Sequence, residues 1–312
     1  MESIRRAVID VGTNSIKLLV ADVRGRVVQP VHEESRQTRL GRRFYETHRL
    51  QPDAVAHTAE AVWEFSDIAR EKNSASIRVI ATSAARDAVN PDDLVSTIKR
   101  VAGLDVEIIS GQQEAEWVYQ GVTTDPKLAK IPLLLLDVGG GSTEFILGRK
   151  GHMHFAHSFP LGTVRLMEKF PHSDPPTRAE YNNCRDWIRN ILKTDVRPKL
   201  APALARIKQS GKLQLAGTGG TTSILGRVKN KLKTFDREVI EGTRLSLDQV
   251  QSLRWRLWRL PLAEREVIPG LPKQRADVIL TGIAIYEEVM KEFRLKQLRV
   301  STRGLRFAAV MD

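Results

Sequence analysis

Ala7-Val8-Ile9-Asp10-Val11-Gly12-Thr13-Asn14-Ser15-Ile16-Lys17-Leu18-Leu19-Val20-Ala21-Asp22-Val23 is the stretch on which the fold turns. β-Branched and aliphatic runs flank a Gly/Thr/Asn/Ser turn, which predicts strand, turn, strand, with Gly25 closing the far side of the hairpin. The pattern returns as Leu133-Leu134-Leu135-Leu136-Asp137-Val138-Gly139-Gly140-Gly141-Ser142-Thr143-Glu144-Phe145-Ile146-Leu147. At an offset of 127 residues Asp10 falls on Asp137, Val11 on Val138, Gly12 on Gly139 and Ser15 on Ser142. Such a repeat predicts two similar α/β domains facing each other.

Between the two copies, Pro52–Lys72 reads as a helix opened by proline, with Ala54, Val55, Ala61, Val62, Phe65 and Ile68 as its apolar stripe. Ile77–Thr82 and Val106–Ile109 read as strands. Asn90-Pro91-Asp92-Asp93 opens a helix that stops at Gly103, and Ser110-Gly111-Gln112-Gln113 fits a capping box opening another. Beyond the second copy the chain is more helical, over Arg178–Leu192, Ser246–Leu260 and Arg275–Phe293. Leu213–Thr221 reads as a strand followed by a third Gly/Thr loop. A boundary near residue 125 gives domains 1–124 and 125–312, the last helix being free to pack back on the first domain.

The composition narrows the class. At 312 residues there is room for about two domains, each with its own core. A hydrophobic fraction of 41% with 28% charged residues argues against a disordered or fibrous chain. Apolar runs are too short to span a bilayer, and the N-terminus shows no export leader, so a soluble, cytoplasmic protein is expected. Cys184, the single cysteine, rules out intrachain disulfides and cysteine metal cages. The net charge of +12 is lopsided: residues 1–156 carry 20 basic and 21 acidic groups, the rest 29 and 16. One strongly positive face, and an anionic partner for it, is the expectation.

Three Gly/Thr/Ser loops follow apolar strands, and they hold the candidate phosphate cradle: Thr13, Asn14 and Ser15; Gly139, Gly140, Gly141, Ser142 and Thr143; Gly217, Thr218 and Gly219. Glycine lets the backbone approach a phosphate closely, and successive N–H groups with hydroxyls can hold its oxygens. None of the three has the spacing of a P-loop, and no Rossmann fingerprint is present. Asp10 and Asp137, at strand ends, can hold a hard divalent cation directly or through water, and Glu144 joins them.

These loops, with Ile80-Ala81-Thr82-Ser83-Ala84-Ala85-Arg86, Ile109-Ser110-Gly111-Gln112-Gln113-Glu114-Ala115, Phe159-Pro160-Leu161-Gly162-Thr163-Val164-Arg165-Leu166 and Arg275-Ala276-Asp277, resemble the exopolyphosphatase/guanosine pentaphosphate phosphohydrolase family. That family belongs to the actin-like, sugar-kinase and Hsp70 ATPase superfamily. The resemblance implies two ribonuclease-H-like domains with an active site in the cleft between them, in the short two-domain form. It implies Glu114 as the base that deprotonates the attacking water and Arg86 as a contact to phosphate. Where the family often has Glu-Glu, this chain has Gln113-Glu114. The implied cofactor is Mg²⁺, with Mn²⁺ as the alternative ion; the implied partners are inorganic polyphosphate, guanosine pentaphosphate or tetraphosphate, and a second copy in a homodimer. The competing readings are guanosine pentaphosphate hydrolysis, a non-catalytic sensor of polyphosphate or guanosine tetraphosphate, and an actin-like ATPase or sugar kinase. No sugar site or aspartate base is visible for the last.

Other features are weighed against plainer readings. Arg36, Arg39, Arg42 and Arg43 crowd one loop around Leu40-Gly41. Arg227, Lys229, Lys231 and Lys233 are either a solvated ribbon or a track for a long polyanion. Trp255 and Trp258, among Arg254, Arg256 and Arg259, suggest nucleic-acid stacking, but their spacing in an amphipathic helix favours burial. His152, His154 and His157 lack nearby carboxylates at ligand spacing, which counts against a metal site.

Overall fold

The computed structural model describes residues 2–208 and 212–312, which form two compact units: residues up to Thr124 together with Gly304–Asp312, and Asp125–Arg303. The first unit holds β1 (Ile4–Val11), β2 (Ile16–Arg24), β3 (Val27–Arg36), β4 (Ile77–Ala81) and β5 (Val106–Ile108), in the order β3-β2-β1-β4-β5. β1 pairs antiparallel with β2 and parallel with β4. It is central, so Val8, Ile9 and Val11 are buried whichever face they point to.

The second unit holds β6 (Leu133–Val138), β7 (Thr143–Arg149), β8 (His152–Phe159), β9 (Gln214–Thr218), β10 (Arg244–Ser246) and β11 (Gln297–Val300), in the order β10-β11-β9-β6-β7-β8. Without the added edge strand β10, this is the order of the first sheet. The repeat extends to register: Val11↔Ile16 and Asp10↔Lys17 become Val138↔Thr143 and Asp137↔Glu144 at the same 127-residue offset. The chain is a mixed α/β protein with two related sheets.

The helix Pro52–Glu71 starts on its proline and buries Ala54, Val55, Ala61, Val62 and Phe65. The helix Pro91–Ala102 stops at Gly103, whose φ of 72° is open to glycine at little cost. Asn90 stands at the cap position but bonds elsewhere: its amide accepts from Leu50 N at 2.9 Å and donates to Leu50 O at 3.1 Å. It fastens the loop that enters the helix Pro52–Glu71 instead.

Three further expectations change. The third Gly/Thr loop is the start of a helix, Gly219–Lys229. Hydroxyls bond back to the carbonyls of its first turn, Thr222 donating to Thr218 O at 2.7 Å and Ser223 to Gly219 O at 2.8 Å. The run Arg275–Phe293 is split into a 3₁₀ turn, Lys273–Arg275, and a helix that begins only at Ile279. The two tryptophans part: Trp258 is buried and donates to Leu280 O at 3.0 Å, whereas Trp255 is 56% exposed, so burial is wrong for that one. No helix among the described residues is long and apolar enough to cross a membrane.

Candidate active site

In the first unit, the carboxyl ends of β1, β4 and β5 bring three candidates to one end of the sheet. Thr82 N bonds Val11 O at 3.2 Å and Ile109 N bonds Ala81 O at 3.0 Å, tying the three strand ends together. The short helix Ser83–Arg86 leaves β4 there, and Ser110 caps the helix Gly111–Val122 after β5, its hydroxyl accepting from Gln113 N at 3.1 Å. Glu114 follows in the first turn and is only 8% exposed. Arg86 Nη1 donates to Glu114 Oε2 at 2.9 Å and to Ile109 O at 3.2 Å. Arg86 is therefore a half-buried partner of the candidate base and not a surface charge.

The β1–β2 turn lies beside them. Gly12 N closes on Ser15 O at 3.1 Å, and Thr13, Asn14 and Ser15 are buried. The loop after β3 packs onto it, with Arg39 N bonded to Asn14 O at 3.1 Å and Gly41 N to Thr13 O at 2.7 Å. A Cβ on Gly41 would sit 2.3 Å from Thr13 Cγ2, so any larger residue would have to push that methyl aside. Asn14 Nδ2 is buried with no hydrogen-bond partner among the described residues, a donor that an anionic oxygen would satisfy. Asp10 is 6% exposed, with Lys17 Nζ 3.7 Å from Oδ2, so a cation already stands beside it. The crowded arginines of the neighbouring loop are partly committed: Arg36 pairs with Glu64 and Arg42 with Asp53.

In the second unit, the equivalent turn closes from Gly139 N to Ser142 O at 2.9 Å. The helix Thr163–Lys169 caps its back: Thr163 N bonds Gly139 O at 2.9 Å, Val164 N bonds Gly140 O at 2.8 Å, and Arg165 Nε bonds Gly141 O at 2.9 Å. Gly162 makes this possible, since a Cβ there would lie 2.3 Å from Gly140 O. Glu144 is 2% exposed and accepts from Ser142 Oγ at 2.8 Å and Ser158 Oγ at 2.7 Å. Asp137, half-buried, faces the start of the helix Gly219–Lys229, its Oδ1 only 2.1 Å from where a Cβ on Gly219 would be.

The remaining candidates fall deeper. Thr143 is fully buried and donates to Leu161 O. Gly217 lies within β9 against Tyr286 and Thr222, and Thr218 Oγ1 donates to Arg303 O at 3.0 Å. Of the third stretch, Gly219 is the half-exposed residue. No group of three or more His, Cys, Asp or Glu that could hold a metal occurs among the described residues. His157 lies 3.0 Å from Lys199 Nζ, and burial followed by that charge lowers its pKa below the usual histidine value.

Three residues were missed as site candidates. Lys17 beside Asp10 was visible in the offset comparison, where it falls on Glu144. Arg275, whose Nη2 lies 3.2 Å from a Cβ position on Gly220, and Arg165 were both inside quoted motifs without being given a role.

The sequence profile of the Ppx/GppA phosphatase family matches residues 19–311. The chain belongs to this family. Exopolyphosphatase 2 of Mycobacterium tuberculosis is 33% identical over 96% of this chain and 96% of its own length. The bifunctional 3-dehydroquinate synthase/phosphatase of Fusobacterium nucleatum is 28% identical over 98% of this chain and 46% of its own. Among solved structures, an exopolyphosphatase from Cytophaga hutchinsonii gives a TM-score of 0.84 at 28% identity, covering 97% of this chain and 96% of that one. The Aquifex aeolicus Ppx/GppA family member gives 0.78 at 28% identity, covering 99% and 97%. This member of the Ppx/GppA phosphatase family is thus an enzyme of the phosphatase class with the two-domain actin-like fold.

Proposed function

We propose that this Ppx/GppA protein is an exopolyphosphatase, which releases terminal phosphate from inorganic polyphosphate by attack of water. The observation that carries the reading is the 2.9 Å pairing of Arg86 with Glu114 at the carboxyl ends of β1, β4 and β5. It supports a carboxylate fixed in orientation by a guanidinium that can also meet a phosphoryl oxygen. In this reading Glu114 takes the proton from water as the water oxygen bonds to the terminal phosphorus. The phosphoanhydride bond breaks, and the shortened chain leaves with the bridging oxygen. The amides of the β1–β2 turn and Asn14 Nδ2 hold the phosphoryl oxygens, the positioning that phosphoryl transfer chiefly needs.

The second unit supports a cation partner. Mg²⁺ is usually held by one or two carboxylates, with water and phosphate oxygens completing its shell. Half-exposed Asp137, with Glu144 opposite in register, is a donor set of that kind, and its all-oxygen chemistry suits Mn²⁺ as well. Such an ion would neutralise charge on the phosphates. Asp10, already beside Lys17, has less to offer a metal.

The test is phosphate release measured side by side on long polyphosphate, short polyphosphate, guanosine pentaphosphate and ATP. The expected order puts polyphosphate first; a preference for guanosine pentaphosphate would replace this substrate by the other. Glu114→Gln should lower turnover by roughly 10²–10⁴-fold while polyphosphate still binds. Near-normal turnover in that variant would remove Glu114 from the mechanism.

A further inference from the structure

Two basic stretches lie outside the candidate site, and the second unit joins them. Lys229, at the end of the helix Gly219–Lys229, donates to Gln249 Oε1 at 3.1 Å and to Arg244 O, next to the start of the helix Leu247–Leu257. Arg227 drops out of this surface: it is half-buried, its Nη2 donates to Lys233 O at 2.9 Å, and burial lowers its pKa. Lys229, Lys231 and Lys233 are exposed. Two residues further on, Phe235 is 44% exposed, with the Arg237 guanidinium 5.8 Å from its ring. Asp236 between them is occupied in capping, accepting from Glu238 N at 3.0 Å and Val239 N at 3.2 Å.

The helix Leu247–Leu257 turns Val250, Leu257 and the Arg254–Glu287 ion pair (2.6 Å) inward. Its outer face carries Asp248 in the first turn, then Ser252, Trp255 and Arg256, with Arg259 just beyond. The Arg259 guanidinium lies 4.3 Å from the Trp255 ring centroid. The surrounding unit, Asp125–Arg303, has 32 Lys and Arg against 18 Asp and Glu. Self-association through this face would oppose like charges. A bare chain of phosphates would use the cations and leave both rings unused. Exposed aromatic rings, each beside a guanidinium, Phe235 following the three lysines and Trp255 preceding Arg256, suit a ligand that alternates anionic backbone with planar bases.

We propose that this face of the second unit binds single-stranded nucleic acid, with phosphates on Lys229, Lys231, Lys233 and Arg256 and bases stacked on Phe235 and Trp255. The function is separate from hydrolysis. The test is fluorescence anisotropy of a labelled 15-nucleotide oligouridylate with the full chain, across a salt series. Trp255→Ala should weaken binding by roughly 5–150-fold and Phe235→Ala by a similar or smaller factor, since base stacking is worth about 1–3 kcal/mol per ring. Replacing Lys229, Lys231 and Lys233 by Gln should flatten the log–log salt dependence by about 0.7 for each phosphate that is no longer neutralised. Both aromatic variants should release phosphate from short polyphosphate at the wild-type rate, which shows them folded. Long polyphosphate, used as a competitor, should bind Trp255→Ala as it binds wild type. The proposal fails if the oligonucleotide does not bind at low salt, or binds both aromatic variants as it binds wild type. It fails equally if polyphosphate affinity falls in step with oligonucleotide affinity in Trp255→Ala, or if Trp255→Ala instead dissociates a dimer.

Discussion

In the first sheet a glycine N–H closes the turn on Ser15 O at 3.1 Å, and in the second the equivalent glycine closes on Ser142 O at 2.9 Å. The flanking strands keep the same register, yet the residue opposite the aspartate changes sign: Lys17 faces Asp10, and Glu144 faces Asp137. Backbone geometry depends on a few glycines and the strand ladder, so it survives divergence. Charge depends on one side chain, so it can be reversed without refolding anything. The two turns therefore offer opposite chemistry on one scaffold: an aspartate beside a lysine and a buried amide donor in the first, and a pair of carboxylates in the second. The supports differ too, because Gly41 presses on a side chain and Gly162 on backbone.

That last contrast carries the largest expected effect. Gly162→Ala should destabilise the protein by about 3 kcal/mol, near the top of the range for overpacking, because Gly140 cannot turn aside. Gly41→Ala should cost closer to 1 kcal/mol, since the nearest atom is a methyl on Thr13; thermal melts that rank the two equally would remove the distinction. Next come the charges. Glu144→Gln keeps an acceptor for both serines but loses the carboxylate charge, so the Mg²⁺ concentration for half-maximal activity should rise about tenfold (~1.4 kcal/mol) with little change in melting temperature. Asp137→Asn should behave alike. Lys17→Gln should leave the Mg²⁺ titration where it was and raise KM instead; identical responses from the two turns would show that their charge difference has no functional role. Smallest is Ser158→Ala, which removes one of two hydroxyls from Glu144 and should cost about 1 kcal/mol in chemical denaturation.

The hairpins were legible in the sequence because apolar runs broken by Gly-Thr-Asn-Ser and Gly-Gly-Gly-Ser leave little choice of structure. Glu114 and Arg86 were legible only through family resemblance, since nothing local says that two residues 28 apart will meet at 2.9 Å. The helix Gly219–Lys229 was hidden by its own composition: Gly-Gly-Thr-Thr-Ser is a poor helix former, and burial of Thr221, Thr222, Ile224 and Leu225 overrides that preference. Trp255 misled because spacing gives two residues a relative angle but not the direction of the buried stripe. The stripe follows Val250, Arg254 and Leu257, with Trp258 at its edge and Trp255 beyond it. Lys17 was not legible as a site residue because identity between the two copies marks what they keep, and at that position the difference is what matters.

The segment Gly304–Asp312 imposes an order on synthesis. It belongs to the unit that begins the chain, where Arg306 Nη1 bonds Leu18 O at 2.6 Å and Arg6 Nη1 bonds Met311 O at 2.9 Å. Gly304 O comes so close to the helix Gly111–Val122 that a Cβ on Gly121 would lie 2.1 Å away. A ribosome must make all of Asp125–Arg303 before these contacts can form, so the first unit to emerge is the last to be completed. Until then the Gly121 surface stays uncovered, and the first unit is finished by a docking step that the second, contiguous in sequence, does not need.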